Sequence, residues 1–82
     1  SKFASANMES LASDMAVGGG ETLASLADLM GVAEEDRAAF YEVAQDNFAS
    51  IYSDENITAG EMVDNLGQVM ASNVELADYT KA

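Results

Sequence analysis

The stretch "DMAVGGGETLASLADLMGV", residues 14–32, places three glycines in tandem between two segments whose apolar residues recur at helical spacing. A glycine directly after the last periodic residue is a common helix stop, because it adopts a positive φ without a steric clash at Cβ. Gly18 therefore predicts the end of a first helix. Gly19 and Gly20 then predict either a tight reversal with close approach of two backbones or a short hinge.

The same periodicity divides the whole chain into four predicted helices. They cover approximately residues 3–17, 20–30, 33–52 and 58–78. Glu21 lies in the first turn of the second helix, where a negative charge interacts favourably with the helix dipole, and Gly31 ends that helix. Segments with strict apolar–polar alternation are missing. We therefore expect an all-α fold, a compact bundle of four short helices with a glycine corner between helices one and two.

The fourth predicted helix has the clearest start. Thr58 followed by Glu61 has the spacing of a capping box, in which each side chain accepts a hydrogen bond from the other residue's backbone N–H. Ile57, just before the cap, is spaced to contact Met62. The residues to which these patterns assign structural roles are Gly18, Gly20, Glu21, Gly31, Thr58 and Glu61.

The length and composition exclude most catalytic and cofactor sites. With 82 residues the chain is expected to form one domain over residues 1–82. It contains no cysteine and no histidine, so it has no disulfide, no thiolate metal site and neither of the commonest catalytic side chains. It also lacks tryptophan, which makes a sugar-stacking hydrolase cleft a poor fit. We expect no enzyme activity, no catalytic residue and no cofactor.

The charge is strongly negative, with 15 acidic and 3 basic residues and a net charge of −12. Such a surface repels nucleic acid and anionic lipid headgroups, and it attracts cations or a basic protein surface. The acidity alternatively serves solubility alone. No apolar run approaches the roughly 20 residues that span a bilayer, so we expect no direct membrane insertion.

Two further patterns are considered as ligand sites. "GGGET" (18–22) superficially resembles a phosphate loop, but no strand precedes it, no Lys or Arg follows, and Glu21 places an anion where the phosphate would sit. Carboxylate pairs on single helix faces are candidate Ca²⁺ or Mg²⁺ ligands, although the loop at 53–61 departs from the EF-hand pattern. These pairs are Glu42 with Asp46, Glu61 with Asp64, and Glu75 with Asp78.

One extended pattern resembles a known family. The phrase D-M-A-x-G-x-G-E-x-L-x-x-L-A-x-L-x-G-V is carried here by Asp14, Met15, Ala16, Gly18, Gly20, Glu21, Leu23, Leu26, Ala27, Leu29, Gly31 and Val32. With "EEDRAAF" ending at Phe40 and "FASIY" around Ile51, it resembles the C-terminal helical part of a proteobacterial family of small exported proteins labelled only as a domain of unknown function. The resemblance covers about residues 3–66.

The resemblance implies export, and hence a periplasmic or extracellular protein processed from a longer precursor. Members of that family usually carry a signal peptide and a Gly/Asn-rich region with cysteines, which this sequence does not include. No catalytic residue is implied. Gly18 and Gly20 match the family pattern whereas Gly19 occupies its variable position, which favours a fixed corner over a flexible linker.

The leading hypothesis is a non-enzymatic, exported helical interaction module that binds a protein partner or itself through an apolar helix face. One alternative is a small accessory subunit docked on a larger periplasmic or membrane complex. Another is a weak acidic binder of divalent cations. We expect neither nucleic acid nor a small molecule as a ligand.

Overall fold

The structure, a computed structural model, describes residues 1–80, which form helices and connecting turns only. The α-helices are α1 (Lys2–Ala6), α2 (Met8–Val17), α3 (Glu21–Met30), α4 (Arg37–Asp46), α5 (Phe48–Ile51) and α6 (Ala59–Ala71). Two 3₁₀ helices, Glu34–Asp36 and Ala77–Thr80, precede α4 and follow α6. The described residues contain no strand, so the all-α prediction is confirmed.

The predicted number of four helices is wrong, because two of the four are broken by asparagines. Asn7 separates α1 from α2, and its side-chain amide donates to the Phe3 carbonyl at 2.8 Å. Asn47 separates α4 from α5 in the same way, with its amide 2.9 Å from the Val43 carbonyl. An asparagine side chain that bonds to a nearby backbone carbonyl offers the chain an alternative to helical geometry, and both breaks lie at such a residue. At Asn47 the backbone N–H also keeps its bond to the Val43 carbonyl, at 3.1 Å.

The other boundaries also differ from those predicted. The segment expected to be one helix over 33–52 begins with a 3₁₀ turn before α4 and ends with the short α5. The last helix, expected over 58–78, ends at Ala71, and its continuation is a turn that leads into the second 3₁₀ helix. In that turn the Asn73 side chain accepts from the Glu75 amide at 2.9 Å, a local bond that competes with helical geometry.

A single apolar core joins the helices. Its buried residues are Ala4, Leu11, Met15, Leu23, Leu26, Ala27, Val32, Phe40, Ala44, Ile51, Met62, Leu66, Met70 and Leu76. Phe40 is the largest of them and is fully buried. No polar or charged residue among those described is buried, so the core is stabilised by apolar burial and close packing.

The packing places α6 at the centre of the contacts. It packs against α1, α4, α5 and the second 3₁₀ helix, while α2 packs against α3 and α4. The molecule measures 31 × 23 × 22 Å. None of the helices in residues 1–80 has the length and apolar character that crossing a membrane requires.

Candidate functional site

The three glycines between α2 and α3 occupy conformations that other residues adopt only under strain. Gly18 ends α2 with a φ of 86°, and its N–H donates to the carbonyls of Asp14 and Met15. Gly20, at the N-cap of α3, has a φ of 148°, and a Cβ added there would collide with the Asp14 carboxylate. The segment therefore connects α2 to α3 through a backbone conformation that favours glycine.

Asp14 supplies the capping group that Gly20 lacks. Its carboxylate Oδ2 accepts a hydrogen bond from the Leu23 amide at 3.0 Å, which satisfies one of the free N–H groups in the first turn of α3. Glu21 lies exposed in the same turn. A phosphate at this position would meet the carboxylates of Asp14 and Glu21.

The remaining residues with predicted structural roles also lie at helix ends. Gly31 follows α3 with a φ of 76°, and the next N–H, that of Val32, donates to the Ala27 carbonyl at 2.9 Å. At the start of α6, the Thr58 hydroxyl accepts from the Glu61 amide at 3.1 Å, and the Glu61 carboxylate accepts from the Thr58 amide at 3.0 Å. These hydrogen bonds close the end of α3 and the start of α6.

The carboxylates do not assemble into a metal site. A polar pocket beside α6 is lined by Asp54, Glu61 and Asp64 together with neutral side chains. Within residues 1–80, however, no group of three or more acidic side chains has the geometry to hold a metal ion. Glu61 is already engaged with Thr58 in the capping box. The cation-binding alternative gains no support from this arrangement.

The first candidate binding surface is an apolar groove between α1, α3 and α6, with a volume of about 450 Å³. It is lined by Ser1, Lys2, Phe3, Leu26, Leu29, Met30, Val63 and Leu66. Leu29 lies on its rim with 65% of its surface exposed. We call this surface the α1–α3–α6 groove. It offers unburied apolar area to a partner.

The second candidate surface lies between α2, α5 and the loop after α5, with a volume of about 540 Å³. Its apolar lining consists of Met8, Ala12, Phe48, Tyr52 and Ile57, and its acidic lining of Glu9, Asp54 and Glu55. We call it the α2–α5 groove. The rings of Phe48 and Tyr52 are stacked, with centroids 5.3 Å apart and planes 17° from parallel. The groove thus combines an aromatic surface with three carboxylates.

Two tyrosine hydroxyls make long-range hydrogen bonds that link helices together. The Tyr52 hydroxyl donates to the Met8 carbonyl at 2.8 Å, and burial raises the pKa of Tyr52. The Tyr79 hydroxyl donates to the Asp36 carboxylate at 2.5 Å and accepts from the Ala33 amide at 3.1 Å. Its hydrogen bond to Asp36 raises the pKa of Tyr79. Each hydroxyl thus connects segments more than 40 residues apart in the sequence.

A comparison with family models shows that residues 1–80 match the family described as "Protein of unknown function (DUF3015)". The chain belongs to the DUF3015 family. The resemblance to a family labelled as a domain of unknown function is thereby confirmed, and the DUF3015 match extends past the expected residues 3–66. No curated protein and no solved structure matches the chain.

The DUF3015 match spans both grooves, which the sequence analysis did not find. Their lining residues come from helices far apart in sequence, so no local pattern brings them together. A partial signal existed for the α2–α5 groove. Phe48 and Tyr52 are four residues apart, a spacing that places aromatic side chains side by side on a helical surface.

Proposed function

We propose that this protein is a non-enzymatic, exported interaction module that binds another protein through the α1–α3–α6 groove. The observation that carries the proposal is the 65% exposure of Leu29 at the rim of an apolar groove. Fully burying a leucine side chain contributes about 1.5–3 kcal/mol, and most of that contribution is still available here. An exposed apolar side chain beside an apolar groove is typical of an interaction site.

The occupant we propose is an apolar helix face on a different protein. Each copy of this chain carries a net charge of −12, so two copies repel each other at short range even though salt screens charges beyond about 8 Å. A partner with a neutral or basic surface avoids that repulsion. Among residues 1–80, Lys2 is the only charged side chain in the lining of the groove.

Two parts of this proposal, the exported location and the non-enzymatic role, are supported by different observations. Export is supported by the resemblance of residues 14–32 to the exported family, and fractionation of cells that produce the protein tests it. The non-enzymatic role is supported by a composition without histidine or cysteine. If the partner is a large assembly, the protein is its accessory subunit.

Leu29→Ser tests the groove, with Val74→Ser as its matched control. Val74 is also an exposed apolar residue, at 95% exposure, and it lines neither groove. Both variants are expected to retain the wild-type midpoint of urea unfolding. Crosslinking in the producing cells should recover one defined partner with the wild type and with Val74→Ser, and lose it with Leu29→Ser.

Two results would overturn the proposal. Recovery of the same partner by Leu29→Ser would show that the groove is not the binding surface. Sedimentation of the purified protein as a dimer that Leu29→Ser dissociates would make the occupant a second copy and not another protein.

A further inference from the structure

We propose that the α2–α5 groove is a second binding site, which takes a basic, apolar segment of a protein, with an arginine or lysine side chain lying on Phe48 and Tyr52. This inference goes beyond the α1–α3–α6 groove and does not depend on it. It rests on the combination of an aromatic surface with carboxylates that form no ion pair within residues 1–80.

The apolar side of the groove is preformed. The rings of Phe48 and Tyr52 are stacked, and each of the two side chains is half-buried. The hydrogen bond from the Tyr52 hydroxyl to the Met8 carbonyl fixes the position of the Tyr52 ring. Met8 and Ile57 extend the apolar lining on either side. A long aliphatic side chain therefore finds an ordered surface whose side chains have already lost their rotational freedom.

The acidic side of the groove has no basic side chain in its lining among residues 1–80. Glu9 from α2 and Asp54 and Glu55 from the loop after α5 are all exposed. Within residues 1–80, the ion pairs that form all belong to Arg37, which binds Asp28 and Glu34. Lys2 lines the other groove. The three carboxylates thus have no ion-pair partner in the described part of the chain.

Charge complementarity then selects the occupant. An arginine or lysine side chain has an aliphatic stem that lies on apolar surface and a cationic head that stays near water and carboxylates. Stacking covers one face of each ring and leaves the other, and an uncovered aromatic face attracts such a cation as well. A metal ion would use the carboxylates alone, and their geometry does not form a metal site within residues 1–80. A second copy would bring a net charge of −12 to the same surface.

The test uses synthetic peptides as probes, with binding followed by NMR on the isotopically labelled protein. The first peptide alternates arginine with leucine, the second replaces each arginine with glutamate, and the third replaces each leucine with serine. We expect only the first to bind, with shift changes at Met8, Tyr52 and Ile57. The double variant Glu9→Gln/Glu55→Gln should bind it roughly three- to tenfold more weakly, because two charge contacts are lost.

The matched control is Glu42→Gln/Glu75→Gln, which removes the same charge from exposed residues outside the groove. It should leave the affinity within about twofold of wild type. Equal weakening by both double variants would overturn the proposal, because it would show attraction to the overall charge. Failure of the first peptide to bind, or equal binding of the glutamate peptide, would also overturn it. Leu29→Ser should bind the first peptide normally, so the two proposals fail independently.

Discussion

The carboxylate of Asp14, in α2, accepts a hydrogen bond from the backbone amide of Leu23, in the first turn of α3, at 3.0 Å. Asp14 therefore acts as the N-terminal cap of a helix to which it does not belong. Gly20 occupies the N-cap position itself, and its missing Cβ leaves the space that the carboxylate fills. The cap therefore needs both residues: Asp14 supplies the carboxylate, and Gly20 leaves the space in which it fits.

Replacing Asp14 with alanine removes this cap. We expect Asp14→Ala to lower the free energy of unfolding by about 0.5–2 kcal/mol, the range for losing a capping side chain. Asp46→Ala is a suitable control, because Asp46 is an exposed aspartate in the last turn of α4, where a negative charge opposes the helix dipole. Urea unfolding of both variants provides the comparison, and equal losses in the two would contradict the capping role.

Replacing glycine with alanine should lower the stability of the protein at position 20 and raise it at position 67. Gly20→Ala introduces a Cβ that collides with Asp14 at a φ of 148°, so we expect a loss of more than about 1 kcal/mol. Gly67→Ala lies inside α6, where nothing is within 4 Å of the new Cβ. Alanine there should stabilise the protein by about 0.5–1 kcal/mol. Thermal unfolding distinguishes the two, and stabilisation by Gly20→Ala would disprove the close approach.

The capping box of α6 should behave as a coupled pair. Thr58→Ala is expected to cost about 1 kcal/mol of stability, since it frees the Glu61 amide. Once Thr58 is alanine, Glu61→Ala should cost less than it does in the wild type, because the Thr58 hydroxyl also bonds to the Glu61 carboxylate. A double-mutant cycle measures this coupling. Strictly additive losses would mean that the two hydrogen bonds act independently.

Tyr52 and Tyr79 should make the protein sensitive to alkali. Both have a raised pKa, through burial for Tyr52 and through the hydrogen bond to Asp36 for Tyr79. Above about pH 10 the unfolded chain loses these protons before the folded protein does. The unfolded state then binds fewer protons, so the free energy of unfolding falls as the pH rises through the folded pKa values. Below about pH 10 this contribution is fully present.

The measurement is urea unfolding at several values from about pH 9 to about pH 11.5. Wild type should lose stability more steeply than Tyr52→Phe and Tyr79→Phe, because each variant lacks one of the two titrating hydroxyls. At neutral pH, Tyr52→Phe should cost about 0.5–1.5 kcal/mol through the lost hydrogen bond to Met8. Identical slopes for all three proteins would show that neither tyrosine carries the alkaline sensitivity.

Local rules account for the features that depend on near neighbours in sequence. The all-α class follows from helical periodicity, and the start of α6 follows from two residues three apart. The breaks at Asn7 and Asn47 were missed because asparagine is tolerated inside helices, and at a break its side chain instead bonds to the carbonyl four residues earlier. The sequence pattern does not reveal that choice.

Contacts between residues far apart in the sequence could not be predicted from local sequence patterns. Tyr79 bonds to Asp36 across 43 positions, and Tyr52 bonds to Met8 across 44. The second of these bonds joins two residues that line the α2–α5 groove. The residues with predicted structural roles lie at helix ends, where near neighbours in sequence decide the structure. Each groove is lined by residues from several helices, so it forms only when those helices pack together.

The asparagine breaks also determine the proportions of the molecule. An unbroken helix over residues 33–52 would be a rod about 30 Å long, nearly the full longest dimension of 31 Å and well beyond the other two, 23 and 22 Å. With the break at Asn47, α4 is only ten residues long, about 15 Å, and α5 is a separate helix of four residues. Helices of these lengths fit within the two shorter dimensions of the molecule, which the unbroken rod would exceed.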